Sequence, residues 1–400
     1  MRKKGDQKMI YNIIEPEKFK YIIDEKRCKI DDIKDQTRAK IDYVSNYVIE
    51  WLRVASNSQN SNKIYFIDAM SNCGIYKKFD LCTCLRVLDI FYKESLNHPN
   101  KYYYLYLNDY DIEKVNVLRE IISKYKDKFS NNLFISISNE DASDFLDKIN
   151  YAFNFNGSFE KKYVLLYVDP YNFPSKEVIE SMLNFIKKNY CELMFNFFSS
   201  DIERNLFNDK QKDKSDKLVE AIKLFANIDT LKKSSNKMEY IVDCFVEKIK
   251  NTKYIEYYFK YDFNISTNKE IYQIMFFSPS IAGLKQLKKS LWEVFEGYPE
   301  YWSKRKRDYD SVNLFGYTPE EQRIVDQGEI VINYLLKLGE TRMNYARIEE
   351  ICLSRTLLVD SHIINYVIKP MIEQNKLAKC NLVRKSNYKK DEYILTYGKN

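Results

Sequence analysis

The chain has 400 residues, 45% of them hydrophobic and 30% charged, with 64 Lys and Arg against 57 Asp and Glu for a formal net charge of +7. That length suits a full α/β domain plus a smaller one, and no window approaches the roughly 20 apolar residues of a membrane span. The modest charge permits nucleic-acid contact but does not make the chain a polycationic binder. The basic start Met1-Arg2-Lys3-Lys4 has no apolar stretch behind it, so no signal peptide is expected. Eight scattered cysteines fit reduced thiols in the cytoplasm. The one cluster, Cys82-Thr83-Cys84 with Cys73, has only His98 and His362 in the whole chain to draw on, so no metal is expected.

Residues 1–34 read as a polar leader with helical pieces. From Thr37 the pattern is helical, with Ile41, Val44, Val48 and Trp51 at three- and four-residue intervals. A first strand, Ile64 to Asp68, feeds a tight turn, Ala69-Met70-Ser71-Asn72-Cys73-Gly74, that closes on one of only nine glycines. A strand that delivers such a turn into a helix brings backbone N–H groups up to a nucleotide-like ligand. Three more repeats of strand, acidic end and helix follow. Tyr102 to Leu107 reaches Asp109, Leu133 to Ile137 reaches Glu140-Asp141, and the almost wholly apolar Tyr163 to Val168 reaches Asp169-Pro170-Tyr171.

After a fifth strand, Leu193 to Phe198, residues 201–250 read as helical. Strands at Ile255 to Tyr261 and Ile271 to Phe277 have a short, helix-free connection that suits an antiparallel pair. An amphipathic helix carrying Leu284, Leu287, Leu291 and Val294 closes this domain, which spans 35–298. A linker, 299–317, holds Lys304, Arg305, Lys306 and Arg307 in succession; such a run is either a solvated face or a contact to phosphate. From 318 to 400, three helices (Ile330 to Leu338, Tyr345 to Cys352, Ser361 to Gln374) precede two strands (Leu377 to Val383, Glu392 to Leu395) around the turn Arg384 to Asp391, the order of a winged helix. The expected fold is therefore α/β: a Rossmann-like sheet with an antiparallel strand pair at one end, plus a C-terminal winged-helix domain.

In such sheets ligands sit outside the carboxyl ends of the strands, where four acids gather here. Asp109 suits a ribose diol and Asp141 an adenine amino group, while Asp68 orients the turn or meets an ammonium. Asp109 and Asp141 serve equally well as helix N-caps. Asp169-Pro170-Tyr171 is similar to the D-P-P-Y motif of amino-group methyltransferases. Its acid and the Pro170 carbonyl can accept from a target amine while Tyr171 stacks on a base. A stiff strand-to-helix turn is the plainer reading.

The chain resembles the three-Cys-motif partner protein (TcmP) family, a methyltransferase-like family found beside radical-SAM-like proteins. The matching pieces are Thr37-Arg38-Ala39-Lys40, Ile67-Asp68-Ala69-Met70-Ser71-Asn72-Cys73-Gly74-Ile75-Tyr76, Val168-Asp169-Pro170-Tyr171, Glu192 to Arg204, and Met275-Phe276-Phe277 with Gly283-Leu284-Lys285 and Leu291-Trp292. The resemblance covers residues 36–296. Two departures stand out: Asn72 replaces a glycine of the turn, and Leu81-Cys82-Thr83 stands where a Gly-Ser-Pro-like run belongs. The set of strand-end acids fits an S-adenosylmethionine pocket, bordered by Asp68, Asn72, Gly74, Asp109 and Asp141, with Asp169, Pro170 and Tyr171 at the acceptor, and the resemblance agrees in implying a class I methyltransferase sheet. The winged-helix order and the run Lys304 to Arg307 lead to the expectation of a nucleic-acid substrate, most readily at an amino group, and the resemblance adds a radical-SAM-like partner. The alternative is a decayed methyltransferase fold that binds nucleic acid or a partner in a defence or mobile-element system.

Overall fold

The computed structural model describes residues 12–155, 162–266, 269–302, 316–340, 342–379, 389 and 392–395. Strands β1 (Lys63–Asp68), β2 (Tyr102–Asn108), β3 (Leu133–Ser138), β4 (Tyr163–Val168), β5 (Glu192–Phe197), β6 (Tyr257–Ser266), β7 (Lys269–Ser278) and β8 (Tyr301–Trp302) form one sheet. Its order is β3-β2-β1-β4-β5-β7-β6-β8. β7 runs antiparallel to both neighbours and every other pair is parallel. This is a Rossmann-like methyltransferase sheet, and the order turns back on itself at β1, where the crevice for a ligand opens.

Period-two alternation sorts the strand side chains into two cores. Phe66, Leu165 and Tyr167 enter the first core with helices Asp35–Asn57, Thr83–Asn97, Ile112–Ser123 and Ile281–Phe295. Tyr65, Ile67, Val164, Leu166 and Val168 enter the second with helices Ala142–Phe155, Lys176–Lys188, Lys212–Ile222 and Lys237–Lys250. Because both faces are covered, β1 and β4 read as continuous apolar runs.

From residue 12 onward the leader forms the short helices Pro16–Phe19 and Lys20–Asp24 and packs onto the sheet domain. Ile13, Ile14, Phe19 and Ile22 are buried in the first core. The buried carboxylate of Asp89 accepts from the backbone N–H of Asn12 and of Ile13, each at 2.8 Å, which pins this segment to helix Thr83–Asn97. Its sparse apolar residues fall in no single period, which is why the pattern looked detached.

The C-terminal unit runs helix Pro319–Lys337, β9 (Arg342–Asn344), helix Tyr345–Arg355, the helical run 360–373, β10 (Leu377–Lys379) and β11 (Glu392–Leu395), with sheet order β10-β11-β9. Its first helix starts at Pro319, not Ile330, because Thr318 and Glu321 close a capping box ahead of the first apolar turn. The three-residue β9 is too short to announce itself in sequence. The basic run Lys304 to Arg307, and most of the turn expected at 384–391, lie outside the described residues. Gln327 locks the two units together: its Nε2 donates to the Gly297 carbonyl (3.0 Å) and its Oε1 accepts from the Leu357 N–H (2.7 Å). Lys285 pairs with Glu349 across the same seam at 2.7 Å. Among the described residues, no single helix is long and apolar enough to cross a membrane.

Candidate functional site at the carboxyl edge of the sheet

The turn after β1 is built without its middle glycine. Asn72 takes φ +63°, a left-handed conformation that Asn tolerates better than most residues. Its N–H donates to Asp109 Oδ2 at 2.9 Å, and its own Oδ1 accepts from the Cys73 N–H at 2.8 Å. Ser71 N–H donates to the Asn108 carbonyl at 2.7 Å, tying the turn to the end of β2. Gly74 has φ +94°, and a Cβ there would lie 2.7 Å from Leu85 Cδ1. Packing against the helices therefore demands this glycine.

Asp68 ends β1 and is 1% exposed. Its Oδ1 accepts from the Met70 N–H at 3.1 Å. Burial pushes its carboxyl up to about 8, and the nearby charges of Asp169 and Asp109 add to the rise.

A cavity of about 530 Å³ opens beside this turn. It is lined on one side by Asp68, Met70, Ser71 and Asn72, and on the other by Asp169, Pro170 and Tyr171. The start of helix Asp35–Asn57 (Gln36, Thr37, Lys40), the charged Asp31, Asp32 and Lys34 just ahead of it, and Tyr272 of β7 also line it. Sequence reasoning thus brings Asp68, Asn72, Asp169, Pro170 and Tyr171 to one place. Gly74, Asp109 and Asp141 are not part of this lining. Asp109 is buried and commits both carboxylate oxygens to backbone, Oδ2 to Asn72 and Oδ1 to the Asp111 N–H at 3.0 Å. Asp141 is exposed and accepts from the Ser143 N–H (2.9 Å) and hydroxyl (2.7 Å), the behaviour of a helix cap. In this structure Asp109 braces the turn and Asp141 caps a helix.

Asp169 also departs from expectation. Its Oδ1 accepts from Lys40 Nζ (2.7 Å) and Asn196 Nδ2 (2.6 Å), and its Oδ2 from Lys40 Nζ (2.6 Å) and the Tyr167 hydroxyl (2.9 Å). A carboxylate offers about four lone-pair positions, so no place is left for a target amine while Lys40 stays. The pair is largely enclosed, with side-chain exposures of 10% for Lys40 and 19% for Asp169. The Lys40 ammonium also lies 5.4 Å from the centroid of the Tyr272 ring.

Tyr171 stands at the rim, 57% exposed. Its hydroxyl accepts from Asn72 Nδ2 at 2.7 Å, and Lys114 lies over its ring at 4.9 Å. The three side chains span the gap between the turn after β1 and the end of β4. Tyr167, Asn196, Lys114 and Tyr272 had no role in the sequence reading, and Lys40 entered it only within the matching piece Thr37-Arg38-Ala39-Lys40, with no role at the site. That role was legible, since Lys40 lies one helical turn before Val44 and two before Val48 on the apolar stripe, where a lysine needs a partner. Cys28, Cys73, Cys82 and Cys84 gather under the turn as buried, free thiols. Among the described residues no group of three or more His, Cys, Asp or Glu is disposed to hold a metal ion.

No protein-family model matches the chain, and no curated protein matches it. Among solved structures it is similar to Trm1 from Pyrococcus horikoshii, determined in complex with S-adenosyl-L-methionine, at 12% identity and a TM-score of 0.33. That match covers 65% of this chain and 62% of the Trm1 chain. At that level the fold assignment rests on the sheet's own strand order and directions.

Proposed function

We propose that this chain is an S-adenosylmethionine-dependent methyltransferase acting on nucleic acid. One observation carries the reading: a sheet ordered 3-2-1-4-5-7-6 with its seventh strand reversed opens a cavity at its carboxyl edge, beside a turn that holds a left-handed residue. The cavity volume falls within the roughly 300–1,000 Å³ of small-molecule clefts. Asp68, Ser71 and Asn72 would border the methionine end of the cofactor, and Asp109 would act one step back by fixing the Asn72 N–H. When bound, the cofactor supplies an electrophilic methyl group on a sulfonium. Pro170 and Tyr171 would wall the acceptor, with Tyr171 placed to stack on a base. An acceptor amine can use Asp169 only by taking the place of Lys40.

Two features support nucleic acid as substrate. β8 runs parallel to β6, so the chain leaves the sheet at Trp302 on the same edge as the cavity, and Lys304, Arg305, Lys306 and Arg307 follow close in sequence. The C-terminal order of helix, strand, two helices and two strands reads as a winged helix. Calorimetry tests the cofactor site: the expected result is binding of S-adenosylmethionine that Asp109→Ala weakens by about tenfold or more, since it frees the turn. No binding, or binding indifferent to Asp109→Ala, sinks the assignment.

The Asn72–Tyr171–Lys114 bridge favours a second reading, a methyltransferase fold that has lost its cofactor and serves as a nucleic-acid-binding or partner-binding protein. A methyl-transfer assay separates the two. The scattered cysteines add a cytoplasmic setting to the proposal, and the resemblance to the TcmP family adds a radical-SAM-like partner.

A further inference from the structure

We infer that Lys40 is a specificity-determining residue, and that the acceptor group it selects carries a hydrogen-bond-accepting oxygen in place of a free amine. The inference rests on the reading of this cavity as a methyltransferase acceptor site. Lys40 carries three N–H donors. Two go to the two oxygens of Asp169, and the lysine makes no other hydrogen bond among the described residues. Because Lys40 lines the cavity, the third is the donor it can offer to a guest.

Asp169 has nothing left to offer. Tyr167 and Asn196 fill its remaining positions, and neither can leave cheaply: Tyr167 is a buried residue of β4 and Asn196 a buried residue of β5. At this wall a guest amine meets a cation with donors of its own, whereas an oxo oxygen meets a matched donor. The charge-assisted bond that results is about twice as strong as a neutral one. With Lys114 over one face, the other face of the Tyr171 ring takes any planar base and does not discriminate. The distinction between an oxo and an amino edge therefore falls on Lys40.

Two near-isosteric pairs test this, each differing at the base edge by oxygen for amine and by the proton on the adjoining ring nitrogen: uridine against cytidine 5′-monophosphate, and inosine against adenosine 5′-monophosphate. Binding of each to the full chain is followed by ligand-observed nuclear magnetic resonance. The oxo member of each pair should bind about tenfold or more tightly. Lys40→Met should erase the preference, and Lys40→Arg, which keeps the donors and the charge, should retain it. Equal affinity within each pair, tighter binding of the amino member, or a preference that survives in Lys40→Met overturns the inference. The wild-type comparison stands even if Lys40→Met is poorly folded. Binding by none of the four nucleotides also overturns it. Calorimetry with S-adenosylhomocysteine reads the cofactor site separately, so a failure there counts against the proposed function and not against Lys40.

Discussion

Asp68 is the most heavily perturbed acid of the cavity, and it makes a quantitative prediction. Its carboxyl stands at about 8 in the folded protein against an ordinary value of 3.8. Between those values the folded chain holds a proton that the unfolded chain has released, so stability falls as pH rises. Each pH unit inside the window costs up to about 1.36 kcal/mol. Integrated from pH 5 to pH 7, this one group removes roughly 2–3 kcal/mol, somewhat less than two full units because titration has begun by pH 7. Asp68→Asn keeps an oxygen for the Met70 N–H and cannot ionise, so it should lack this loss. The assay is urea unfolding of both proteins at pH 5 and pH 7. Comparing the two pH differences cancels every group the proteins share, including the buried Glu192, whose carboxyl burial lifts to about 7. An identical pH dependence in wild type and Asp68→Asn would refute the claim that burial controls this acid.

Three further outcomes follow from the same geometry. Asn72→Gly removes the side chain that reaches Tyr171 while suiting φ +63°, so S-adenosylmethionine affinity measured by calorimetry should rise by about tenfold; unchanged affinity would show that the bridge does not narrow the site. Gly74→Ala combines a left-handed backbone with a Cβ 2.7 Å from Leu85 Cδ1 and should cost about 3 kcal/mol, read as a lowered urea midpoint. Neutralising Lys304, Arg305, Lys306 and Arg307 together should weaken nucleic-acid retention in filter binding and flatten its dependence on salt concentration by up to about 3–4 in log–log slope; an unaltered slope would make the run a solvated linker.

The parallel half of the sheet was legible because β1, β4 and β5 are buried on both faces and carry apolar runs, while the edge strand β3 shows the alternating exposure of a half-covered strand; the acids that end the first four were equally visible. What a strand-end acid does was not legible, because a carboxylate that caps a helix and one that meets a ligand occupy the same position in sequence. Asp68 and Asp141 take their donors from residues two positions on, whereas the donors that decide the roles of Asp109 and Asp169 come from distant segments. Asn72 reaches Asp109 from β1's turn, and Lys40 reaches Asp169 across 129 positions. The leader was misread for a related reason: its anchor, Asp89, lies in another helix and leaves no local pattern. β8 and β9 were missed because two or three residues contain no periodicity to read.

The pairing of Lys40 with Asp169 also bears on how the cavity handles charge. Of the two acids that end β1 and β4, Asp68 is mostly protonated near pH 7 and Asp169 is neutralised by an ammonium, so this part of the wall carries little net charge. A cationic guest arriving beside Asp68 favours the ionised acid and must expel its proton, so affinity for such a guest rises with pH until Asp68 ionises unaided at about 8. Lys40→Met would leave Asp169 as an unpaired, largely enclosed carboxylate, whose charge pushes the pKa of Asp68 higher still. The two ends of the cavity are therefore coupled: the residue inferred to choose the acceptor also sets the pH at which the opposite wall can hold a cation. A titration of cofactor binding against pH should show its rise displaced upward in Lys40→Met and unmoved in Lys40→Arg; equal profiles in all three proteins would uncouple the two walls.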